Sequence, residues 1–255
     1  MLGKVLQAFG ADRSRRSAAA VPAGRCVYAI GDIHGRADLL ARMHDMILAD
    51  ADAAPEADKV VVYLGDYVDR GLSSREVIDL LIDAPLPGFR SVHLCGNHEA
   101  MMLDFLQTGR NGPMWLYNGG DATLHSYGIA VPAGFLRGGN EGECAEALRA
   151  AVPPRHVAFL EGLETYHLEG DYCFVHAGLR PGVPLEEQEQ GDLIWIRDEF
   201  LQSDADFGHV VVHGHTITGE IDQRDNRIGI DTGAYGSGRL TCLALQGTGR
   251  RFLQT

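Results

Sequence analysis

No two of the five cysteines, Cys26, Cys95, Cys144, Cys173 and Cys242, form a CxxC pair. Three of them (Cys26, Cys95, Cys173) lie inside apolar runs, so the thiols are read as free and buried, in keeping with a reducing compartment rather than a disulfide scaffold. No apolar run approaches the length of a membrane span. Basic residues are in short supply: 22 Lys and Arg against 35 Asp and Glu give a formal net charge of −13. Bulk nucleic-acid binding, which needs a basic face, is therefore not expected. Anionic substrates stay open, because a metal site can invert the local field. The first residues, MLGKVLQAFGADRSRRSAAAVPAGR, place an apolar patch before the arginines, the reverse of a secretory signal. Internal repeats and low-complexity segments are also missing. A cytoplasmic globular protein is expected, with a tail over residues 1–24 and one domain over 25–255.

What is present begins with alternation. RCVYAI (25–30), KVVVYL (59–64) and FRSVHLC (89–95) read as strands. Between them, residues 37–51 space Leu39, Leu40, Met43, Met46 and Ile47 as one helical face. Residues 73–84 open with Ser73 and Glu76, a capping-box spelling. A third helix is expected near 98–107. This order predicts βαβ units and an α/β core. Residues 108–140 turn Gly- and Asn-rich, a loop-rich insertion around short helices, followed by a helical segment near 141–161. The whole stretch 108–162 is expected to flank the cleft. DYCFVHAG, GHVVVHGHT and RIGIDTGAYGSGRLTCLALQ return to strands.

Five strand ends carry ligand-type residues: GDIHG (31–35), GDYVDRG (65–71), GNHE (96–99), HAG (176–178) and GHT (214–216). Gly-Asp alone is ordinary turn chemistry. Five such turns in one chain, at the strand ends where α/β folds place their sites, point to a metal centre. Asp32 and His34, two apart, can reach one cation. Asp66 has an oxygen for each of two cations. Asn97, His176 and a late histidine would complete a second centre. Mixed O/N donors without thiolate suit manganese, with iron or zinc as alternatives, and not calcium.

These motifs, in this order, resemble the phosphoprotein phosphatases (PPP) within the calcineurin-like metallophosphoesterases, over residues 26 to 242 or so. IWIRDEF and the short insertion resemble the compact bacterial and phage members. The resemblance implies an α/β fold in which helices flank a central β-sandwich, with a dimetal site at the carboxyl ends of the strands. It implies Asp32 and His34 on the first ion, Asp66 bridging, and Asn97, His176 and His215 on the second. His98 and Asp69 are the implied catalytic pair, His98 as general acid and Asp69 holding its imidazole. Arg70 and Arg197 would grip the phosphoryl oxygens, with Asn97 also next to substrate. The implied reaction is one-step in-line attack by a hydroxide shared between the two metals.

Three positions carry a bland reading beside this one. His213 is expected as a partly buried neighbour of His215. Arg197 could pair with Asp198 or Glu199 on a solvated face. Tyr235 could line the cleft or simply pack. His44, His93, His125, His156, His167 and His209 are read as structural. Ile217 stands where nuclease-like relatives carry a second histidine, which favours the PPP branch. The expected substrate is a phosphoserine or phosphothreonine protein or peptide, with no nucleic-acid or membrane partner. A symmetrical dinucleoside tetraphosphate hydrolase is the alternative, and Glu99 in GNHE is the spelling that favours the former. A binding module on a decayed site is the third reading.

Overall fold

The computed structural model describes residues 18–54, 57–131 and 140–255. The first half alternates as the periodicity predicts: β1 (Arg25–Ile30), α1 (Ala37–Ala51), β2 (Asp58–Tyr63), α2 (Ser74–Asp83), β3 (Phe89–His93) and α3 (Asn97–Thr108). Then come α4 (Gly112–Trp115), a π turn (Leu116–Gly120), α5 (Asp121–Ser126), α6 (Glu141–Ala151) and α7 (Pro154–Glu161). The helical stretch expected near 141–161 is thus two helices. Val152 and Pro153 are extended, and a residue before proline is driven out of the α region. The remaining elements are β4 (Tyr166–Glu169), β5 (Tyr172–Val175), α8 (Gln190–Trp195), α9 (Asp198–Leu201), β6 (Val210–His213), β7 (Asp222–Gln223), β8 (Arg227–Gly229), α10 (Ala234–Ser237), β9 (Thr241–Gln246) and β10 (Gly249–Gln254).

Two five-stranded sheets result, ordered β10-β9-β1-β2-β3 and β4-β5-β6-β8-β7. Side chains alternate across a strand, and β1 buries both of its faces. Val27 and Ala29 join Val60, Val62, Phe174, Val212 and Ile228 in the core between the sheets. Cys26, Tyr28 and Ile30 point the other way, onto Leu40, Met43 and Ile47 of α1. On the outer face of the second sheet, Val175 and Val211 pack under Leu193, Ile194 and Phe200. Helix, sheet, sheet, helix is the sandwich the motifs implied. All five cysteines are free and buried.

β1, β2 and β3 run parallel, as do β5, β6 and β8. The turns after β1, β2, β3, β5 and β6 therefore open at carboxyl ends of strands, where the five motifs lie. Among the described residues, no helix is long and apolar enough to cross a membrane.

Two expectations need correcting. The tail expected over residues 1–24 is not uniform: Val21 is buried, its N–H donates to Gly247 O at 3.0 Å, and Ala20 N–H donates to Asp171 at 2.9 Å. These residues therefore pack on the domain, while residues 1–17 lie outside the described residues. The second concerns α2. Ser73 precedes it, but its side chain makes no capping hydrogen bond, so the box spelled by Ser73 and Glu76 does not form.

Candidate metal centre

Three of the five site turns, GDIHG, GDYVDRG and GHT, hold residues in conformations side chains seldom adopt. His34, Asp66, Asp69, Arg70 and His215 all have φ between 46° and 71°. Left-handed backbone of this kind costs energy outside glycine, and it persists where the surroundings fix it. Here the fixing is visible. The N–H groups of Ile33 and His34 donate to Asp66 O at 3.1 and 2.8 Å, and Gly35 N–H donates to Tyr67 O at 2.8 Å, which stitches the first turn to the second. Behind both stands Glu99, fully buried in the first turn of α3. Its carboxylate accepts from the N–H groups of Asp66 (2.8 Å), Tyr67 (2.7 Å), Val68 (3.2 Å) and Gly96 (3.0 Å). Burial, and then the Asp66 charge, push Glu99 up to about 7 against those donors. Glu99 thus faces main chain rather than the cleft.

Asp66 lies at the centre. Its Oδ2 is 3.4 Å from His34 Nε2 and 3.8 Å from His98 Nε2, and its Oδ1 is 3.3 Å from His176 Nε2. One carboxylate oxygen thus faces His34 and His98 and the other faces His176. Two donor sets share it: His34, Asp66 and His98, and Asp66, His176 and His215, each with atoms within 4.8 Å of one another. Burial would raise the Asp66 pKa, but His176, His98 and His34 outweigh it, and the net shift is downward.

The tautomers follow from the outer hydrogen bonds. His34 Nδ1–H donates to Val68 O at 2.9 Å and His176 Nδ1–H to Leu64 O at 2.9 Å, which turns both Nε2 lone pairs inward. Burial lowers the His34 pKa to about 3 and that of His215 to about 2, and lowers His176 as well, which favours neutral rings, the form that could hold a metal. His176 Nε2 then meets Asn97 Oδ1 at 3.1 Å and Asp66 Oδ1. Three acceptors converge with no proton between them, an arrangement a cation satisfies. His215 Nε2 and Asp32 Oδ1 are buried without a hydrogen-bond partner. The donor set, oxygen and imidazole without thiolate, fits divalent ions in the site.

Asp32 stands slightly apart. Its Oδ2 accepts from His215 N–H at 3.0 Å, tying the first sheet to the second, while burial and the nearby Asp231 and Asp66 raise its pKa. Gly214 permits this approach, since a Cβ there would collide with Asp32 Oδ1. Asp231, after β8, is a site residue that sequence reasoning missed. It is buried, its Oδ2 has no partner, and burial pushes its pKa up to about 6. The signal was there, as the acid of DTG is a further strand-end acid.

His98 Nδ1 lies 2.7 Å from Asp69 Oδ2. Burial alone would lower its pKa, but Asp66 and Asp69 prevail and the shift is upward. Arg70 reaches over both rings, Nη1 2.8 Å from His34 Nε2 and Nη2 3.1 Å from His98 Nε2. Tyr235 does line the cleft, its ring 5.0 Å from the Arg70 guanidinium and 5.5 Å from the His34 ring. Arg197 sits between α8 and α9 with φ −130° and ψ −102°, so IWIRDEF is broken at this residue. Its Nη1 donates to Thr216 Oγ1 at 3.0 Å, while Glu199 pairs with Arg180. The surface pair with a neighbouring acid is not made. His213 is buried, its Nδ1 3.1 Å from Gly214 O, and it belongs to neither donor set.

The profile of the calcineurin-like phosphoesterases matches residues 27–229. The chain is 31% identical over 230 residues to serine/threonine-protein phosphatase 2 of Escherichia coli (strain K12), covering 85% of this chain and 91% of the relative. It is 30% identical over 154 residues to a symmetrical bis(5'-nucleosyl)-tetraphosphatase of Dechloromonas aromatica (strain RCB), covering 60% of this chain and 44% of that one. A cold-active protein tyrosine phosphatase shares the fold, with a TM-score of 0.59 at 18% identity over 93% of this chain and 81% of its own. With two donor sets sharing Asp66 and a match over residues 27–229, the chain belongs to the calcineurin-like phosphoesterase family.

Proposed function

We propose that the protein removes phosphate from phosphoserine or phosphothreonine in proteins. The observation that carries the reading is one constellation: two donor sets sharing Asp66, with the His98–Asp69 pair beside them and Arg70 against the rings of His34 and His98. Asp32, His34, Asp66, Asn97, His176 and His215 would hold two divalent ions, manganese by preference. When bound, such ions supply water activation near neutral pH and neutralise charge on the phosphoryl group.

The chain's own residues do the rest. Water attacks phosphorus in line with the ester oxygen, and the P–O bond to the serine or threonine breaks as the new bond forms. His98 gives its Nε2 proton to the departing oxygen, while Asp69 holds Nδ1–H and favours the imidazolium beforehand. Arg70 and Arg197 offer guanidinium donors to the non-bridging oxygens. Support for a protein substrate comes from the broader coverage of the similarity to the E. coli phosphatase, 85% of this chain against 60% for the tetraphosphatase.

The test is a side-by-side assay of manganese-loaded protein on a phosphothreonine peptide and on diadenosine tetraphosphate. A specificity constant at least tenfold higher for the peptide is expected. The reverse preference would make the protein a dinucleoside polyphosphate hydrolase with the same centre.

A further inference from the structure

Trp115 comes from the insertion, 46 residues along the chain from Asp69, and is buried. Its indole Nε1–H lies 3.1 Å from Asp69 Oδ1 and 2.9 Å from Oδ2, so one donor is shared by both oxygens. Thr123 of α5 donates its hydroxyl to Asp69 Oδ1 at 2.6 Å and accepts from Asp69 N–H at 2.9 Å. Ser74, at the start of α2, lies 2.9 Å from the same hydroxyl and 3.1 Å from Asp69 N. Every oxygen of a fully buried carboxylate is thereby engaged, and only Oδ2 also reaches His98.

The insertion holds the next residue too. Gly119 O accepts from Arg70 N–H at 3.0 Å, and Gly119 has φ 104°, with a Cβ there falling 2.8 Å from Arg70 Cγ. The Trp115 ring packs at 5.2 Å on Phe105 of α3, the helix whose first turn carries His98. Core packing explains a buried indole. It does not explain why the indole N–H of Trp115, the hydroxyl of Thr123 and the carbonyl of Gly119 all converge on residues 69 and 70.

We propose that Trp115 and Thr123 are positioning residues for the general acid: they fix the Asp69 carboxylate in the one rotation that presents Oδ2 to His98 Nδ1. The insertion is then a bracket for the catalytic turn. Buried outer partners of this kind lock a side chain whose own torsions would otherwise blur the geometry. The inference rests on His98 acting as the acid.

The experiment measures turnover of manganese-loaded wild type, Trp115→Phe, Thr123→Val, Thr123→Ser and His98→Asn on phenyl phosphate and 2,4-dinitrophenyl phosphate, whose leaving oxygens are poor and good. Metal content and thermal midpoint are recorded for each variant. His98→Asn should lose rate chiefly on phenyl phosphate. Trp115→Phe and Thr123→Val should show the same selectivity in smaller measure, about 10-fold more loss on phenyl phosphate than on the dinitrophenyl ester, with KM and metal content unchanged. Thr123→Ser, which keeps the hydroxyl, should restore the phenyl phosphate rate. Equal loss on both esters, or no loss, while His98→Asn is selective would overturn the positioning role and leave the acid intact. If His98→Asn itself is unselective, the acid reading fails and this inference falls with it. Should Trp115→Phe not fold, the Thr123 pair decides alone.

Discussion

The main-chain N–H of Asp66 donates to the Glu99 carboxylate at 2.8 Å, so the residue between the two histidine sets is held from behind by a helix residue 33 positions away in sequence. Glu99→Gln keeps the size but turns an NH2 group toward main-chain donors. A loss of about 2–3 kcal/mol in stability is expected, the cost of buried donors left unpaired. Urea denaturation of the chelated protein checks it. A midpoint equal to wild type would mean the four N–H groups find other acceptors.

Asp66→Asn should reduce metal stoichiometry below that of wild type while the fold persists. The amide has one acceptor oxygen and cannot serve both sides. Elemental analysis after dialysis reads this directly, with circular dichroism as the check on folding. Retention of both ions would remove Asp66 from the bridging position.

Arg197→Ala should lower kcat/KM by roughly 100-fold, the size of losing one preformed donor to a developing oxyanion. Arg197→Lys should recover only part of this, because the ammonium lacks the planar fork. Metal content should not change in either. A kcat/KM within twofold of wild type would return Arg197 to the surface.

His44 and His93 set an acid limit on stability. His44 Nε2 lies 2.9 Å from the Tyr63 hydroxyl, and the His93 ring stacks on Tyr63 at 4.9 Å. Burial lowers both pKa values from 6.5 to about 4. The unfolded chain therefore binds more protons than the folded one between pH 6.5 and 4, and stability falls as pH drops through that window. Each imidazole contributes a slope on the order of 1 kcal/mol per pH unit. Denaturation of the chelated protein at several pH values should show it, and His44→Gln should flatten the curve.

The strand-end ligands were legible because a metal site leaves acids and imidazoles where turn formers would suffice, and because parallel strands bring those turns to one edge. What stayed hidden depends on distance along the chain or on mixed polarity. No pattern links Trp115 to Asp69. Gly249–Gln254 mixes arginines with Phe252 and Leu253, and β10 is an edge strand whose arginines are used, Arg250 donating to the Tyr172 hydroxyl at 2.9 Å and Arg251 pairing with Asp50 at 2.7 Å. The capping spelling at Ser73 misled because tertiary contacts decide whether a cap is made. Nor does the spelling GNHE tell that Glu99 supports the main chain of a turn 31–33 residues earlier.

The left-handed backbone at His34, Asp66, Asp69, Arg70 and His215 sets two kinds of selection against each other. Glycine or asparagine is locally easier at these φ values than the side chains present. A mutant library sorted only for thermal resilience would therefore drift toward those residues at the five positions. The same library sorted for turnover would hold them fixed. Subtracting one set of survivors from the other would draw the outline of the catalytic edge from sequences alone.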